Sequence, residues 1–421
     1  MKASAGNKGC VLIIVENLPS PFDRRVWQEA TTLKSAGYDV VIVCPTGEGY
    51  RARYETLDGI EIHRYALPFE ASSPVGYAVE YVIAFAMQLY LACKIRLRRR
   101  VDVVHACNPP DTIFLIGALL KLFGARFLFD HHDANPELYL AKFGKKDWRY
   151  GLITMLERWT FKTADASIAT NESYRKIAIT RGRMPEERVT VVRSGPALDR
   201  LKIVPLDPRH KHGKPYLIGY VGVMGKQEGL DYLLRAAKHL VHDLGRRDVH
   251  FCLVGSGTEL SRLKAYAREL DVTDCVTFTG RVPDEELVSV LCTADVCVNP
   301  DVANEMNDIS TMNKVMEYMA LGKPIVQFDL VEGRVSAREA SLYAKRNDWV
   351  DFARKIAYLL EHPQERAAMG LLGRERVHEQ LAWRHEAPKL LRAYDELLHR
   401  RPQRASGRTV SSLKPSGRRL E

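Results

Sequence analysis

Two successive runs of alternating strands and helices constrain the fold of this 421-residue chain more than any other feature. Between residues 10 and 200, short apolar strands alternate with helical stretches, and the same pattern restarts at residue 217. The residues between the two runs, 201–216, include three prolines and several charged side chains, as expected of a linker. Such alternation predicts parallel sheets covered by helices, so we expect an α/β protein of two domains.

The predicted elements divide the chain into five parts. The first domain (1–200) has strands predicted at 10–15, 40–44, 101–105, 126–130, 166–169 and 189–192. The second domain (217–382) has strands predicted at 217–221, 250–254, 276–278, 296–298 and 324–327. A linker (201–216) joins them, and a final amphipathic helix (383–400) and a basic tail (401–421) follow. Ligands of such proteins bind at the carboxyl ends of the strands, so we expect a cleft between the domains.

The segment 313–326 has the pattern of a helix that ends at a glycine and is followed by a buried strand. Its apolar residues recur at helical spacing, and Gly322 is a candidate C-cap. Ser310 and Thr311 offer hydroxyl groups that could cap the helix start, where free N–H groups can bind an anion. Glu317, about two turns further on, could then bind a sugar hydroxyl. An ordinary capped helix packed on a sheet would explain the same residues.

This segment resembles the signature of the retaining glycosyltransferases of family 4, in which a glutamate precedes a Met-Ala-x-Gly-x-Pro sequence. Gly255-Ser-Gly257 and the stretches 276–280 and 294–300 follow in the order of that family's second domain. The resemblance extends from about residue 11 to residue 398. It implies two facing Rossmann-like domains of the GT-B type, with the last helix crossing back to the first domain. It also implies transfer of a sugar from a nucleotide donor without a metal ion.

The glycine-rich loop 222–231 follows the first strand of the second domain. Glycines let a backbone approach a phosphate closely, and Lys226 is the only cation of this loop. In the resembling family the loop stabilises the departing diphosphate, which makes Lys226 our candidate for that role. Val223 and Glu228 stand where the family usually has an arginine and a lysine. A solvated turn lysine would explain Lys226 equally well.

Two histidines and three carboxylates lie within residues 130–137, directly after a predicted buried strand. This composition suggests either the polar edge of an active site or metal ligands. Adjacent side chains on a strand point to opposite faces and no cysteine lies nearby, which argues against a metal. The resemblance places one histidine, best aligned with His132, near the hydroxyls of the transferred sugar. Asp111 and Asp133 could line the same cleft, whereas we expect His105 to be a structural polar group.

Asp23-Arg24-Arg25 resembles a signature found in part of the family, where it lies near the acceptor. A capping aspartate at a helix start would explain Asp23 equally well. The usual family motif has two glutamates separated by seven residues, but the position expected for the first, 309, is isoleucine here. The neighbouring Asp308 is our candidate for a contact with the transferred sugar, and the role of the first glutamate stays open.

The candidate site residues fall into three groups. The catalytic candidates are His132, Lys226, Glu317 and Asp308. The candidates for binding the donor are Gly222, Gly225, Lys226, Gly255, Arg281, Val282, Ser310, Thr311, Met312, Asn313, Lys314 and Glu317. The candidates on the acceptor side are Asp23, Arg24, Arg25, Asp111 and Asp133. We expect no metal and no cofactor, only a nucleotide-sugar co-substrate of the UDP or GDP type.

The cysteines, the first residues and the loop after the first strand indicate the compartment of the protein and argue against one class of enzyme. The eight cysteines form no C-x-x-C pair and no zinc spacing, which favours reduced, buried thiols. A short polar stretch leads directly into the first strand, so we expect no signal peptide and a cytoplasmic protein. No G-x-G-x-x-G sequence follows that strand, which weighs against a nicotinamide or flavin enzyme.

Half of the net charge of +10 belongs to the tail 401–421, which has six basic residues against one acid. This tail is polar and predicted to be disordered. The rest of the chain is mildly basic and contains no recognised nucleic-acid-binding module, so we expect no nucleic-acid partner. Residues 81–93 are uncharged but too short to span a bilayer, and five basic residues follow within 94–100. We expect this cluster to contact an anionic membrane surface.

The sequence therefore predicts a retaining, metal-independent glycosyltransferase. It would move a sugar from a nucleotide-diphosphate donor to a glycan or lipid-linked hydroxyl acceptor, in the assembly of cell-surface or exported polysaccharide. We expect it in the cytoplasm, peripherally on the inner face of the membrane. Two alternatives remain: a sugar-nucleotide epimerase of the same fold, and a non-catalytic partner subunit that binds a nucleotide sugar.

Overall fold

The computed structural model describes residues 8–67 and 74–399. They form two α/β domains, each built on its own largely parallel sheet. The predicted fold class, two facing Rossmann-like domains with a helix that crosses back, is therefore confirmed. The basic tail expected at 401–421 lies outside the described residues.

The first domain contains an eight-stranded sheet in the order β3-β4-β2-β1-β5-β6-β7-β8. These strands are β1 (Cys10–Ile14), β2 (Asp39–Pro45), β3 (Tyr54–Leu57), β4 (Ile60–Tyr65), β5 (Val103–Cys107), β6 (Arg126–His131), β7 (Ala166–Ala169) and β8 (Val189–Val191). Neighbours are parallel except the hairpin β3–β4. Its helices are α1 (Arg24–Ser35), α2 (Pro74–Arg98), α3 (Phe114–Lys121), α4 (Asn135–Phe143), α5 (Trp148–Thr163) and α6 (Glu172–Thr180).

The second domain contains a six-stranded parallel sheet in the order β11-β10-β9-β12-β13-β14. These strands are β9 (Tyr216–Val221), β10 (Val249–Val254), β11 (Val276–Gly280), β12 (Val296–Asn299), β13 (Ile325–Phe328) and β14 (Ser341–Ala344). Its helices are α7 (Leu230–Lys238), α8 (Leu260–Glu269), α9 (Asp284–Thr293), α10 (Glu305–Ile309), α11 (Asn313–Ala320), α12 (Val331–Ala337), α13 (Trp349–Glu361) and α14 (Pro363–Arg376).

The last helix, α15 (Trp383–His399), leaves the second domain and packs on the first. The Trp383 indole N–H donates to the hydroxyl of Thr32 in α1 over 2.9 Å. The Tyr394 hydroxyl lies 2.7 Å from Nδ1 of His105, a fully buried residue of β5. This contact gives His105 the structural role expected from the sequence, and α15 fastens the two domains together.

The uncharged stretch 81–93 lies within α2, and one side of it belongs to the core while Tyr81 and Tyr90 are exposed. Ala84, Gln88, Leu91 and Ala92 are buried against the first sheet, whereas Val82 is exposed. No helix within residues 8–67 and 74–399 is long and apolar enough to cross a membrane. All eight cysteines are free thiols, and seven of them are buried.

Two loops that follow adjacent strands of the second domain touch through their glycines. Gly255, after β10, has φ +138°, and a Cβ atom there would lie 1.9 Å from the carbonyl oxygen of Gly222, after β9. Neither the backbone conformation nor the space allows a side chain. This contact fixes the shape of the two loops at the carboxyl edge of the sheet.

We predict that Gly255→Ala destabilises the protein by about 1–3 kcal/mol, because a residue with a side chain must strain or move this loop. Urea unfolding measures the change. The matched control is Gly151→Ala in α5, where a Cβ would meet nothing within 4 Å. The control should gain about 0.5–1 kcal/mol, since alanine favours helix. A Gly255→Ala protein as stable as wild type would contradict the steric argument.

Candidate functional site

A cavity of about 1270 Å³ lies between the two domains, at the carboxyl ends of both sheets. The loops after β1, β2, β6 and β7 line it from the first domain. The loops after β9, β10 and β11 and the start of α11 line it from the second. In each sheet the strand order reverses beside the first strand of the domain, β1 or β9. Ligands of this class of fold bind outside the carboxyl ends of the strands at that reversal, which is where the cavity lies.

Most of the candidate residues from the sequence meet in this cavity. Those that line it are Asp23, Arg24, Arg25, His132, Asp133, Gly222, Gly255, Arg281, Val282, Ser310, Thr311, Met312, Asn313, Lys314 and Glu317. The candidates that the structure places outside the lining are Gly225, Lys226, Asp308 and Asp111.

Two proposed catalytic residues are among those outside, Lys226 and Asp308. Lys226 is exposed at the start of a short turn after Gly225. The carboxylate of Asp308 accepts a hydrogen bond from Nη1 of Arg346 at 2.8 Å and another from the N–H of Val331, at the start of α12. Asp308 therefore holds α12 and Arg346 in place, and the sequence-based assignment of a sugar contact is not supported by its position.

Asp111 is buried rather than in the cleft. It accepts hydrogen bonds from the side-chain amides of Asn108, at 3.2 Å, and Asn135, at 2.6 Å. Burial raises its pKa to about 6, although both amides stabilise the charged form. Asp111 therefore ties the end of β5 to the start of α4, beneath the cavity wall.

Arg25 reaches the cavity lining but is a buried structural cation rather than an exposed acceptor-binding group. Its guanidinium binds Asp130 in a bidentate manner, with Nη2 2.8 Å from Oδ1 and Nε 3.2 Å from Oδ2. Nη2 also lies 3.1 Å from the buried Glu29, and Nη1 donates to the carbonyl of Val192 at 2.8 Å. Burial alone would raise the pKa of Asp130, but Arg25 and His132 hold it well below its usual value.

His132 projects into the cavity from the end of β6 and is held on two sides. Its ring Nε2 contacts the carboxylate of Asp130 and lies 3.0 Å from Nε of Arg25. Its backbone N–H donates to Oδ1 of Asn108 over 2.7 Å. In the same wall, Asp23 accepts the N–H of Val26 and so caps α1, the alternative that the sequence left open.

Two groups of side chains in the described residues have the composition of metal ligands: Glu29, Asp130 and His132, and His105, Cys107 and Asp130. Both share Asp130. The positive charge beside both carboxylates comes from the Arg25 guanidinium, whose Nη2 lies 2.8 Å from Oδ1 of Asp130 and 3.1 Å from Oε1 of Glu29.

Helix α11 begins later than the sequence suggested. Its N-cap is Met312, which makes no side-chain hydrogen bond. The Ser310 hydroxyl instead donates to the carbonyl of Met306, and the Thr311 hydroxyl accepts from the Asn171 amide across the domain boundary. The first turn of α11 is therefore uncapped and faces the cavity.

Lys314, in that first turn, is a nearly buried cation in the second-domain wall of the cavity. Its Nζ lies 2.7 Å from Oδ1 of Asp301 and also contacts Oε2 of Glu228. Burial would lower the pKa of Lys314, but Asp301 and Glu228 raise it well above the usual value, so the ammonium stays charged. Burial raises the pKa of Asp301 to about 7, even though Lys314 opposes the shift. Sequence reasoning assigned only the backbone of Lys314 to the site. Glu228, which stands where the family usually has a lysine, is the residue that its side chain contacts.

Glu317 is held by two arginines, Arg24 in α1 and Arg200 next to the linker. Its Oε1 accepts from Nη1 of Arg24 at 3.0 Å and from Nη2 of Arg200. Among the described residues no donor contacts Oε2. Both arginines also contact Oδ1 of Asp284, at 2.9 and 3.4 Å. Arg200 and Asp284 belong to no motif, which is why the sequence did not reveal this link between the domains.

Comparisons with known families match both domains. The family described as "Glycosyl transferase 4-like domain" matches residues 23–195. The family described as "Glycosyl transferases group 1" matches residues 215–362. The two matches thus fall on either side of the linker.

Individual relatives agree with these matches. The chain is 25% identical over 353 residues to the 2-deoxystreptamine glucosyltransferase of Streptomyces kanamyceticus, covering 80% of this chain and 89% of that protein. Sucrose-phosphate synthase from Thermosynechococcus elongatus has a similar structure, with a TM-score of 0.78, 19% identity, and coverage of 93% and 99%. So does Anabaena HepE in complex with UDP and glucose, with a TM-score of 0.70, 14% identity, and coverage of 92% and 100%.

His131, the neighbour of His132, points away from the cavity into an aromatic environment. Its ring centroid lies 5.5 Å from that of Phe129, 5.3 Å from that of Phe161 and 4.8 Å from that of Tyr174. Neither ring nitrogen has a hydrogen-bond partner among the described residues. Burial lowers the pKa of His131 to about 3, and the charge of Arg181 adds to this effect.

We predict that His131 makes the protein less stable in acid. Between the folded pKa of about 3 and the unfolded value of about 6.5, only the unfolded state binds this proton, so stability falls as the pH drops. The loss between pH 7.5 and pH 5 should be about 2 kcal/mol, at about 1.4 kcal/mol per pH unit. Denaturant unfolding at several pH values should show that His131→Phe removes this part of the slope. Replacement of the exposed His399 by glutamine is the control, and parallel curves for wild type and His131→Phe would contradict the assignment.

Proposed function

This chain belongs to the GT4-type glycosyltransferases of two Rossmann-like domains, and we propose that it is a retaining enzyme which uses a nucleoside-diphosphate sugar and no metal ion. Glycosyl transfer follows from the family. The donor, the stereochemistry and the roles of individual residues are our proposal, and the geometry of Glu317 carries it.

Glu317 is prepared to bind the ribose of the donor. Arg24 and Arg200 fix the carboxylate through Oε1, which leaves Oε2 to accept hydrogen bonds from two neighbouring hydroxyls. The side chain is only 12% exposed, and it lines the cavity. A carboxylate that is held in one orientation, at the edge of a cavity large enough for a nucleotide, suits a cis-diol.

The diphosphate is proposed to lie between Gly222 and the start of α11. The glycines allow close approach of the backbone, and the uncapped N–H groups of α11 favour a negative charge. Lys314 adds the cation, since a carbon of its side chain lies 3.5 Å from where a Cβ of Gly222 would be. Charge that develops on the leaving diphosphate would be stabilised there electrostatically, without a metal ion. Lys314 thereby takes the role that the sequence suggested for Lys226.

The transferred sugar is proposed to lie against His132, across the cavity from Lys314. Asp130 and Arg25 hold the imidazole in place, so one edge of the ring is left to contact sugar hydroxyls. The acceptor would enter from the first-domain side, past Asp23 and Asp133. The HepE structure contains UDP and glucose, which supports a UDP-type donor here, with GDP as the second choice.

The acceptor is proposed to be a glycan or a lipid-linked hydroxyl of a cell-surface or exported polysaccharide. The free, buried thiols suit a reducing compartment, so we place the reaction in the cytoplasm. A lipid-linked acceptor would bring the protein to the inner face of the membrane.

The test is consumption of UDP- and GDP-sugars with and without acceptor, after a thermal-shift screen has identified the donor. A retaining glycosyltransferase forms product only with acceptor and keeps the anomeric configuration, whereas an inverted product would contradict retention. An epimerase would convert the donor alone, and a binding subunit would convert nothing. Activity that excess chelator abolishes and Mg²⁺ or Mn²⁺ restores would contradict the metal-independent mechanism.

We predict that Glu317→Gln weakens donor binding by about 1.5–3 kcal/mol, because a charge-assisted hydrogen bond is lost. Titration calorimetry with the identified donor measures this change. Asp308→Asn is the matched control: it alters a carboxylate of the same segment outside the cavity and should bind the donor as wild type does. Wild-type affinity in the Glu317→Gln protein would refute the ribose assignment.

We predict that the double variant Lys314→Met/Glu228→Gln lowers kcat by about 100- to 1000-fold, with a smaller effect on donor affinity, because the leaving-group charge is greatest in the transition state. The accompanying Glu228→Gln change avoids leaving an unpaired Glu228 carboxylate. Asp301, the other partner of Lys314, is left to bind a proton, since burial already raises its pKa to about 7. Lys226→Met is the control and should retain kcat within about twofold. If Lys226→Met loses activity and the double variant keeps it, the sequence-based assignment was right and ours is wrong.

A further inference from the structure

One surface of the first domain is apolar and exposed at the same time, although no sequence motif marks it. Four apolar residues of α5 share its outer face, at spacings of four, three and four: Trp148, Leu152, Met155 and Trp159. Their exposed fractions range from 37% to 73%. The inner face of the same helix buries two polar residues, Glu157 and Thr160. Phe161 is also buried on that inner face, but an outer face with four apolar residues is unlike that of an ordinary surface helix.

Neighbouring elements extend this surface. Leu115, Leu122 and Phe123, in α3 and just after it, are 49%, 81% and 55% exposed. The ring of Phe114 packs edge-on against Trp159, 5.9 Å away, which joins α3 to α5. Phe143, at the end of α4, is 55% exposed and lies close in sequence to Trp148. We call these exposed apolar residues of α3, α4 and α5 the α3–α5 face.

The charges around the α3–α5 face have one sign. Its exposed cations are Lys142, Lys145, Lys146, Arg149, Arg158 and Lys162. The acids within residues 142–163 are Asp147 and Glu157. Asp147 accepts the N–H groups that cap α5, and Glu157 is buried against Arg181. The face therefore presents an apolar stripe bordered by positive charge.

We propose that the α3–α5 face docks on an anionic lipid bilayer, with α5 lying along the interface. Exposed tryptophans and flanking lysines and arginines are the features that hold a helix at a membrane surface. A second copy of this chain fits poorly, because a face-to-face pair would bring the six cations of each copy together. This inference deepens the proposed function, and it rests on a lipid-linked acceptor for its purpose.

The surface differs from the one expected from the sequence. Within the basic run 94–100, Arg99 pairs with Glu61 and Arg100 pairs with Asp102. Arg96 stacks over the ring of Phe123, 5.4 Å from its centroid, and so borders the α3–α5 face itself. Arg96 therefore adds a positive charge beside the α3–α5 face, whereas the charges of Arg99 and Arg100 are neutralised by neighbouring carboxylates.

The experiment is cosedimentation of the full chain with vesicles of phosphatidylglycerol and phosphatidylcholine in equal amounts, and with pure phosphatidylcholine as the neutral reference. Wild type should bind the anionic vesicles, and less so at high salt. Lys145→Gln/Lys146→Gln should reduce binding by about 30-fold, since each basic residue near the surface contributes about fivefold. Phe143→Ser/Trp148→Ser should abolish the binding that remains at high salt.

Matched controls come from the second domain. Lys264→Gln/Arg268→Gln removes the same charge from exposed positions of α8. Leu371→Ser/Leu372→Ser removes exposed apolar side chains of α14, 57% and 48% exposed. Both should bind vesicles as wild type does. Equal losses in the controls and the face variants would overturn the proposal, because binding would then depend on overall charge or hydrophobicity.

Two further outcomes separate the possibilities. A dimer in light scattering that Phe143→Ser/Trp148→Ser dissociates, together with no binding to vesicles, would overturn the proposal in favour of self-association. Sugar transfer to a soluble acceptor should be the same in wild type and the face variants. If no chain transfers sugar while vesicle binding follows the expected pattern, the docking surface stands and the proposed function fails.

Discussion

The first-domain side of the cleft depends on one buried guanidinium. Arg25, 7% exposed, is bound to two carboxylates that are fully buried, Glu29 and Asp130. Through its other nitrogen it reaches the carbonyl of Val192, at the end of the first sheet. Loss of one member of such a buried set costs about 3–5 kcal/mol, because the others keep their charge without compensation. The loops after β1, β6 and β8 are thus fixed relative to one another by a single side chain.

The position of Arg25 also explains why Glu29 and Asp130 differ in pKa. Burial raises the pKa of Glu29 well above its usual value and Arg25 only partly offsets this, whereas Asp130 is held ionised. The two carboxylates compete for one cation, and the one with the bidentate geometry keeps its charge. The ionised Asp130 is then the acceptor that orients His132. The position of His132 in the cavity therefore depends on the buried charges of Asp130 and Arg25.

The sequence predicted most of the strands that are buried on both faces, but it missed Ile60–Tyr65, whose Glu61, His63 and Arg64 interrupt the apolar pattern although five of its six residues are buried. The strand Cys10–Ile14 is buried at every position and reads as a continuous apolar run. The hairpin strand Tyr54–Leu57 alternates between exposed and half-buried residues and has no such run, so it was missed. In the site, strand ends and glycines indicated the correct loops. They did not indicate which cation reaches the cavity, because Lys314 meets Glu228 from 86 positions away. Pairing at that separation depends on the fold and leaves no local pattern.

Each lysine or arginine side chain that lines the cavity already has a carboxylate partner among the described residues. Arg24 contacts Asp284 and Glu317, Arg281 contacts Glu48, and Lys314 contacts Asp301 and Glu228. The diphosphate of the proposed donor would therefore exchange partners with Lys314 instead of meeting a free charge. The net gain is smaller than the sum of the new contacts, since the old ones are lost. In the proposed reaction the cation would already be in place before the donor binds, so little reorganisation would be needed when charge develops on the leaving group. Arg24 reaches Glu317 from the first domain, so the orientation of the carboxylate proposed to bind the ribose depends on a contact between the two domains.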